Sequence, residues 1–210
     1  MQYINTLTFK NIMLALLIAG VSACAIPTSS SDEDTIEEEA LPTLVPVKTP
    51  PVTPKFQRDF NRSISLMQKN KNRSALKLLT LLTQNYPQFA GPHVNIGLIY
   101  FRAKQFSKAK KAFEKALSLN PNNAVSHNHL GIIQRKNGEF KAALKSYRYA
   151  ILSNADYANA HLNIGVLYDI YFSNLTKALE HYQRYLDLTG NKDKKVSNWI
   201  IDIKRRVNAS

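Results

Sequence analysis

Residues 90–123 read AGPHVNIGLIYFRAKQFSKAKKAFEKALSLNPNN, and residues 124–157 read AVSHNHLGIIQRKNGEFKAALKSYRYAILSNADY. Laid one over the other they share landmarks 34 residues apart, and the interval continues into the stretch that follows. Ala90, Ala124 and Ala158 keep it, as do His93, His127 and His161 and the pairs Ile96-Gly97, Leu130-Gly131 and Ile164-Gly165. Ala109 returns as Ala143, and Pro87 as Pro121. Recurrence at this length marks stacked supersecondary units, each too small to bury its own apolar face.

Each unit reads as two helices. Ile96, Gly97 and Tyr100, then Ala109, Phe113, Ala116 and Leu117, fall at i, i+3, i+4, i+7 and i+8 spacings, one apolar stripe per helix. Glycine inside a helix costs about 1 kcal/mol relative to alanine. Its return at Gly97, Gly131 and Gly165 therefore predicts a close helix approach, with Ala109, Ala143 and Ala178 as the small partners opposite.

The order of an apolar-Gly pair, Tyr, Ala, an aromatic and Pro resembles the tetratricopeptide repeat, most fully in Ile96, Gly97, Tyr100, Ala109, Phe113, Ala116 and Pro121. The resemblance covers residues 56–192. It implies an all-α fold, an α-solenoid of about four helix-turn-helix units at 56–89, 90–123, 124–157 and 158–192. The first unit keeps Phe60, Ile64, Ala75, Leu79, Leu82 and Pro87 but has Arg62-Ser63 for the apolar-Gly pair, as suits an end cap whose outer face meets water. The third has Gln134 for Tyr and Ala155 for Pro, leaving its second helix without the usual stop. The fourth carries one extra residue between Tyr168 and Leu175. After Gly190, the stripe Val196, Trp199, Ile200, Ile203 and Val207 predicts a capping helix within 193–210.

Upstream, Lys10 precedes an uncharged run from Ile12 to Val21, too short for a bilayer, which takes roughly 20 apolar residues. Residues 1–23 therefore resemble an export signal. The signal leads into Val21-Ser22-Ala23-Cys24, which resembles the lipobox of bacterial lipoproteins, and Cys24 is the one cysteine of the chain. On that resemblance Cys24 is lipidated and begins the mature protein. Ala25, where inner-membrane lipoproteins carry Asp, implies the periplasmic face of the outer membrane. Residues 24–55 read as a tether: the acidic cluster from Asp32 to Glu39 and the prolines at 42, 46, 50, 51 and 54 cannot bury enough apolar area to fold. As a coil this tether puts its ends roughly 30 Å apart.

Formal charge is +13, and residues 56–210 hold 25 Lys or Arg against 9 Asp or Glu. An excess on that scale favours anionic surfaces and acidic partners. No nucleic-acid recognition motif accompanies it. Glycine-rich phosphate loops, HExxH and paired nucleophile patterns are missing from the sequence, so no catalytic residue and no cofactor is assigned. His93, His127 and His161 lie about a helix diameter apart, too far to converge on a metal.

The first helices carry apolar side chains beyond their packing stripe: Val94 and Leu98, Ile132, and Leu162 and Val166. Beside them stand Asn95, His129 and Asn163, the sixth residue of each unit. The tetratricopeptide resemblance implies that these residues line a concave groove for a peptide, the amides facing its backbone. Arg102, Arg135 and Lys136 would give the groove a basic rim. The carboxylate clamp of chaperone-binding members is not matched beyond Asn95, since its flanking basic positions fall on Val125 and His129 and its earlier pair on Phe60 and Ile64. The reading is a lipid-anchored envelope scaffold that binds a protein segment, by analogy of the kind serving pilus secretins or peptidoglycan enzymes. The alternative is a binder of anionic polysaccharide or lipopolysaccharide acting through its basic surface.

Overall fold

The computed structural model describes residues 43–209. The export signal, Cys24 and the acidic cluster lie outside the described residues. Among those described there are nine helices and no strand: α1 (Pro54–Gln68), α2 (Asn72–Asn85), α3 (Ala90–Arg102), α4 (Phe106–Leu119), α5 (Ala124–Lys136), α6 (Phe140–Ser153), α7 (Ala158–Ile170), α8 (Leu175–Thr189) and α9 (Lys194–Ala209). None is long and apolar enough to cross a membrane.

Pro54, which composition alone leaves in the tether, is the first residue of α1. Its missing N–H costs nothing there, because the first turn of a helix has no acceptor for it. Thr53 caps that turn, its Oγ1 accepting from Phe56 N at 3.2 Å. In the described part of the tether before it, the Val45 carbonyl accepts from Asn122 Nδ2 at 2.7 Å.

Two recurrent turns build the solenoid. Inside each hairpin one residue takes the left-handed conformation: Asn70, Lys104, Gly138 and Ser173. Lys71, Gln105 and Glu139 then each donate their N–H to a carbonyl five residues back, at Leu66, Tyr100 and Gln134. In the fourth hairpin Asn174 reaches six residues back, to Tyr168 at 2.8 Å. The extra residue is absorbed in that wider loop. Between hairpins, Asn120 Oδ1 accepts from Asn122 N and Asn154 Oδ1 from Asp156 N. These side chains close the turn, so α6 stops at Ser153 although Ala155 replaces the proline.

Successive hairpins stack so that α1 touches α3, α3 touches α5 and α5 touches α7, whereas α2, α4, α6 and α8 touch no other of their own set. The first helices therefore line the inner side of the curve. The close approach centres on the helical glycines, but their partners are aromatic rings and not the alanines. A Cβ on Gly97 would lie 2.6 Å from Cε1 of Phe113, one on Gly131 2.5 Å from Cε1 of Tyr147, and one on Gly165 2.5 Å from Cδ1 of Tyr182. Ala109, Ala143 and Ala178 are also fully buried in the second helices. In the first hairpin the glycine position holds Ser63, buried, its hydroxyl turned back onto the Phe60 carbonyl at 2.6 Å. There the ring position holds the smaller Leu79.

At the far end α9 packs on α8. Val196, Ile200 and Ile203 are buried, Trp199 lies against Tyr182 with centroids 5.4 Å apart, and Arg206 pairs with Asp169 of α7 at 2.6 Å. Asp193 starts this cap by accepting from the N–H groups of Lys195 and Val196.

Candidate functional site

The inner surface divides into a packed part and an open part. Val94, expected along the groove, is buried, and half-buried Leu98 packs against the cores of both the first and second hairpins. Leu162 and Val166 are half-buried on α7.

The sixth-position residues meet three different fates. Asn95 has no hydrogen-bond partner among the described residues and is half-buried. Asn163 donates its Nδ2 to Oδ1 of the buried Asn128 at 2.9 Å, tying α7 to α5. His129 donates Nδ1–H to the Val125 carbonyl at 2.8 Å, and its ring lies edge-on to Phe101 and stacked near Phe113. Burial holds the His129 pKa below its ordinary value and the Arg102 charge adds to that, while the Val125 carbonyl works the other way. His129 is thus a neutral packing ring.

The open part is a cavity of about 650 Å³ at the C-terminal ends of α3, α5 and α7. Phe101, Phe106 and Tyr171 wall it, with Ile132 between them. Phe101 and Phe106 meet edge to face at 5.5 Å, and Tyr171 stacks on Phe140 at 4.0 Å. Arg102, Lys104, Arg135 and Lys136 surround these rings. None of the four is ion-paired with a carboxylate among the described residues. Lys136 rests its ammonium 5.0 Å above the Phe106 ring. Burial, opposed by Arg135, leaves the Tyr147 hydroxyl raised to about 12, yet Arg135 Nε and that hydroxyl both lack a well-formed hydrogen bond.

Ile132, Arg102, Arg135 and Lys136 come together here; Asn163, Leu162 and Val166 are not part of the cavity lining. The aromatic wall escapes the sequence reading because Phe101 and Phe106 of the second unit and Tyr171 of the fourth sit at unrelated positions and share no period. Cations around aromatic and apolar surface suit a carboxylate flanked by apolar groups: the charge is met by the rim and the side chain by the rings.

The histidines do not form a metal centre; no group of three or more candidate ligands lies close enough among the described residues. His161 and His181 do meet, Nδ1 to Nδ1 at 3.1 Å, while His161 Nε2 lies 3.3 Å from the Ala155 carbonyl. His127 Nε2 makes the same contact with the Pro121 carbonyl at 2.7 Å. In the third and fourth units the repeated histidine therefore fastens the turn that precedes its own helix.

Residues 92–123 match a family model described as tetratricopeptide repeat, and residues 112–145 match a second model of the same description. The fold is a tetratricopeptide-repeat solenoid. No curated protein sequence matches the chain. Among solved structures the array is similar to pilF of Pseudomonas aeruginosa, with 16% identity, 73% of this chain and 69% of that one covered, and a TM-score of 0.64. It is similar to MamA of Desulfovibrio magneticus RS-1, with 21% identity, 75% and 88% covered and a TM-score of 0.60. The first tetratricopeptide domain of Spaghetti (RPAP3), bound to an HSP90 peptide, has 22% identity, 59% and 95% covered and a TM-score of 0.53. At these identities the likeness is one of fold.

Proposed function

We propose that this tetratricopeptide protein is a scaffold that holds a carboxylate-bearing, apolar segment of a partner protein against the inner face of its array. The observation that carries the reading is the cavity where Phe101, Phe106 and Tyr171 meet four cations without carboxylate partners among the described residues. A peptide-bound member of the same fold, the Spaghetti domain, supports it. Lipobox-like Val21-Ser22-Ala23-Cys24 supports a lipid anchor at Cys24 and a place on the periplasmic face of the outer membrane. The partner then belongs to an envelope assembly of the pilus-secretin or peptidoglycan-enzyme kind, and the tether lets the array stand clear of the bilayer.

The exposed lysines of α4, Lys108, Lys111 and Lys115, favour a second reading, an anionic polysaccharide on the outer face. A photo-crosslinker at Tyr171 in intact cells separates the two. The groove reading expects one protein adduct that disappears with Arg102→Ala plus Arg135→Ala and survives exchange of the outer lysines Lys108, Lys111, Lys115, Lys141 and Lys145 for glutamine. The opposite pattern assigns binding to the outer face.

A further inference from the structure

The two ends of the array are finished differently. At the C-terminal end α9 lays Val196, Ile200 and Ile203 over the last hairpin. At the other end the first hairpin carries an open groove of about 850 Å³ between α1 and α2. Leu66, Leu76, Leu78 and Leu81 give it an apolar floor, and Leu81 is 51% exposed. Arg62, Lys71, Arg73 and Lys77 form its rim. No carboxylate lines the groove, and none of these cations is ion-paired among the described residues.

The 34-residue register says what this surface is. Arg62 corresponds to Ile96, and in the second hairpin Ile96 packs against the core of the hairpin before it. The Arg62 side of α1 is therefore the side on which a preceding helix would stack, and no helix precedes α1 among the described residues. Leu81 corresponds to Lys115, which is exposed. Solvent contact alone asks for a lysine at that position, and the first hairpin has a leucine there instead. A polar end cap, as the degenerate first unit suggests from sequence, would not place leucine at the centre of such a face.

We propose that this groove is a second docking site, distinct from the inner cavity, and that its occupant is an acidic amphipathic helix of a partner protein. The apolar floor selects a helix with one leucine-rich stripe, the mode in which a helix lies in a groove. The rim selects acidic residues beside that stripe, since four unneutralised cations meet them across a partly desolvated edge. Charge also argues against a second copy of this chain. The apolar stripe of α9 is already buried on the last hairpin, and the rest of that helix carries Lys194, Lys195, Lys204, Arg205 and Arg206 against Asp202 alone.

The test uses the full chain and two synthetic helical peptides of about 14 residues, long enough at about 1.5 Å per residue to lie along α2. Both carry the same leucine stripe; one is flanked by glutamate, the other by lysine. Fluorescence anisotropy is expected to show binding of the glutamate peptide, weakened at least about tenfold, or about 1.4 kcal/mol, by Leu81→Glu and by Lys77→Glu. Arg135→Ala, in the inner cavity, is expected to leave it unchanged, so failure here is separable from failure of the groove reading above. Since Leu81 is exposed, its variant is expected to keep the thermal midpoint of the parent. Failure of the glutamate peptide to bind, equal binding of the lysine peptide, or binding indifferent to Leu81→Glu overturns the proposal. A dimer of the full chain that Leu81→Glu dissociates would instead make the occupant a second copy and overturn it too.

Discussion

Gly131 lies so close to the ring of Tyr147 that a Cβ on it would stand 2.5 Å from Cε1 and 2.6 Å from Cδ1. Tyr147 is fully buried, so the ring has nowhere to retreat. Gly131→Ala gains about 1 kcal/mol of helix propensity and loses about 1–3 kcal/mol to overpacking. The expected outcome is a net loss, larger for Gly131→Leu, read from urea unfolding. An alanine variant more stable than the parent would show that the two helices can separate at no cost.

This contact also shows how far the sequence could be read. The period of 34 exposes each hairpin, and the recurrent glycine announces a tight crossing. It does not name the atom crossed: alanine and aromatic both recur in the second helix, and only the structure shows that the ring meets the glycine. The coupled change in the first hairpin, serine for glycine with leucine for the ring, is visible in the sequence once that pairing is known. Asn120 and Asn154 were equally available as the turn-closing pair, hidden behind the more familiar proline. The cavity was half legible. Ile132 and its cations follow from helix ends, whereas Tyr171 reaches it through the enlarged turn of the fourth hairpin, which no period predicts.

Lys104 holds a left-handed backbone with φ of 57° in the turn where the third hairpin has Gly138. A side chain there costs roughly 1–2 kcal/mol. Lys104→Gly is therefore expected to raise stability by about 1 kcal/mol, offset in part by the greater freedom of glycine in the unfolded chain. Chemical denaturation checks it, and a loss of stability would mean that the Lys104 stem does more packing than its exposure suggests.

Stability should fall as the solution is acidified through the range where histidine titrates. Burial, reinforced by the His161 ring and by Arg148 and Lys177, holds the His181 pKa down to about 4 from 6.5. Burial lowers His93, His127, His129 and His161 as well. The unfolded chain therefore binds more protons than the folded one across this window. Stability is fully present above about pH 6.5 and is lost progressively toward pH 4. At about 1.4 kcal/mol per pKa unit, His181 alone accounts for on the order of 3 kcal/mol. Urea midpoints at pH 7.0 and 4.5 are expected to differ accordingly, and His181→Gln should shrink the difference. An equal difference in that variant would place the effect elsewhere.

Asn95 and Asn163 stand at equivalent places in their units, yet their removal should be felt in different measurements. Asn163 Nδ2 satisfies the buried Oδ1 of Asn128 at 2.9 Å. Replacing Asn163 by alanine strands that acceptor, which costs about 1–3 kcal/mol, so Asn163→Ala is expected to lower the unfolding midpoint. Asn95 has no partner among the described residues to strand. Asn95→Ala should leave stability within about 0.5 kcal/mol, and, if its amide meets a bound peptide backbone, should weaken the partner roughly tenfold, about 1.4 kcal/mol. Asn128→Ala with Asn163→Ala closes the cycle: the double change should cost less than the sum of the two single ones, because neither group is then left alone. Additive losses would show that Asn128 and Asn163 act separately. Loss of partner binding in Asn163→Ala at an unchanged midpoint would show instead that its amide serves the peptide, as its place in the unit implies.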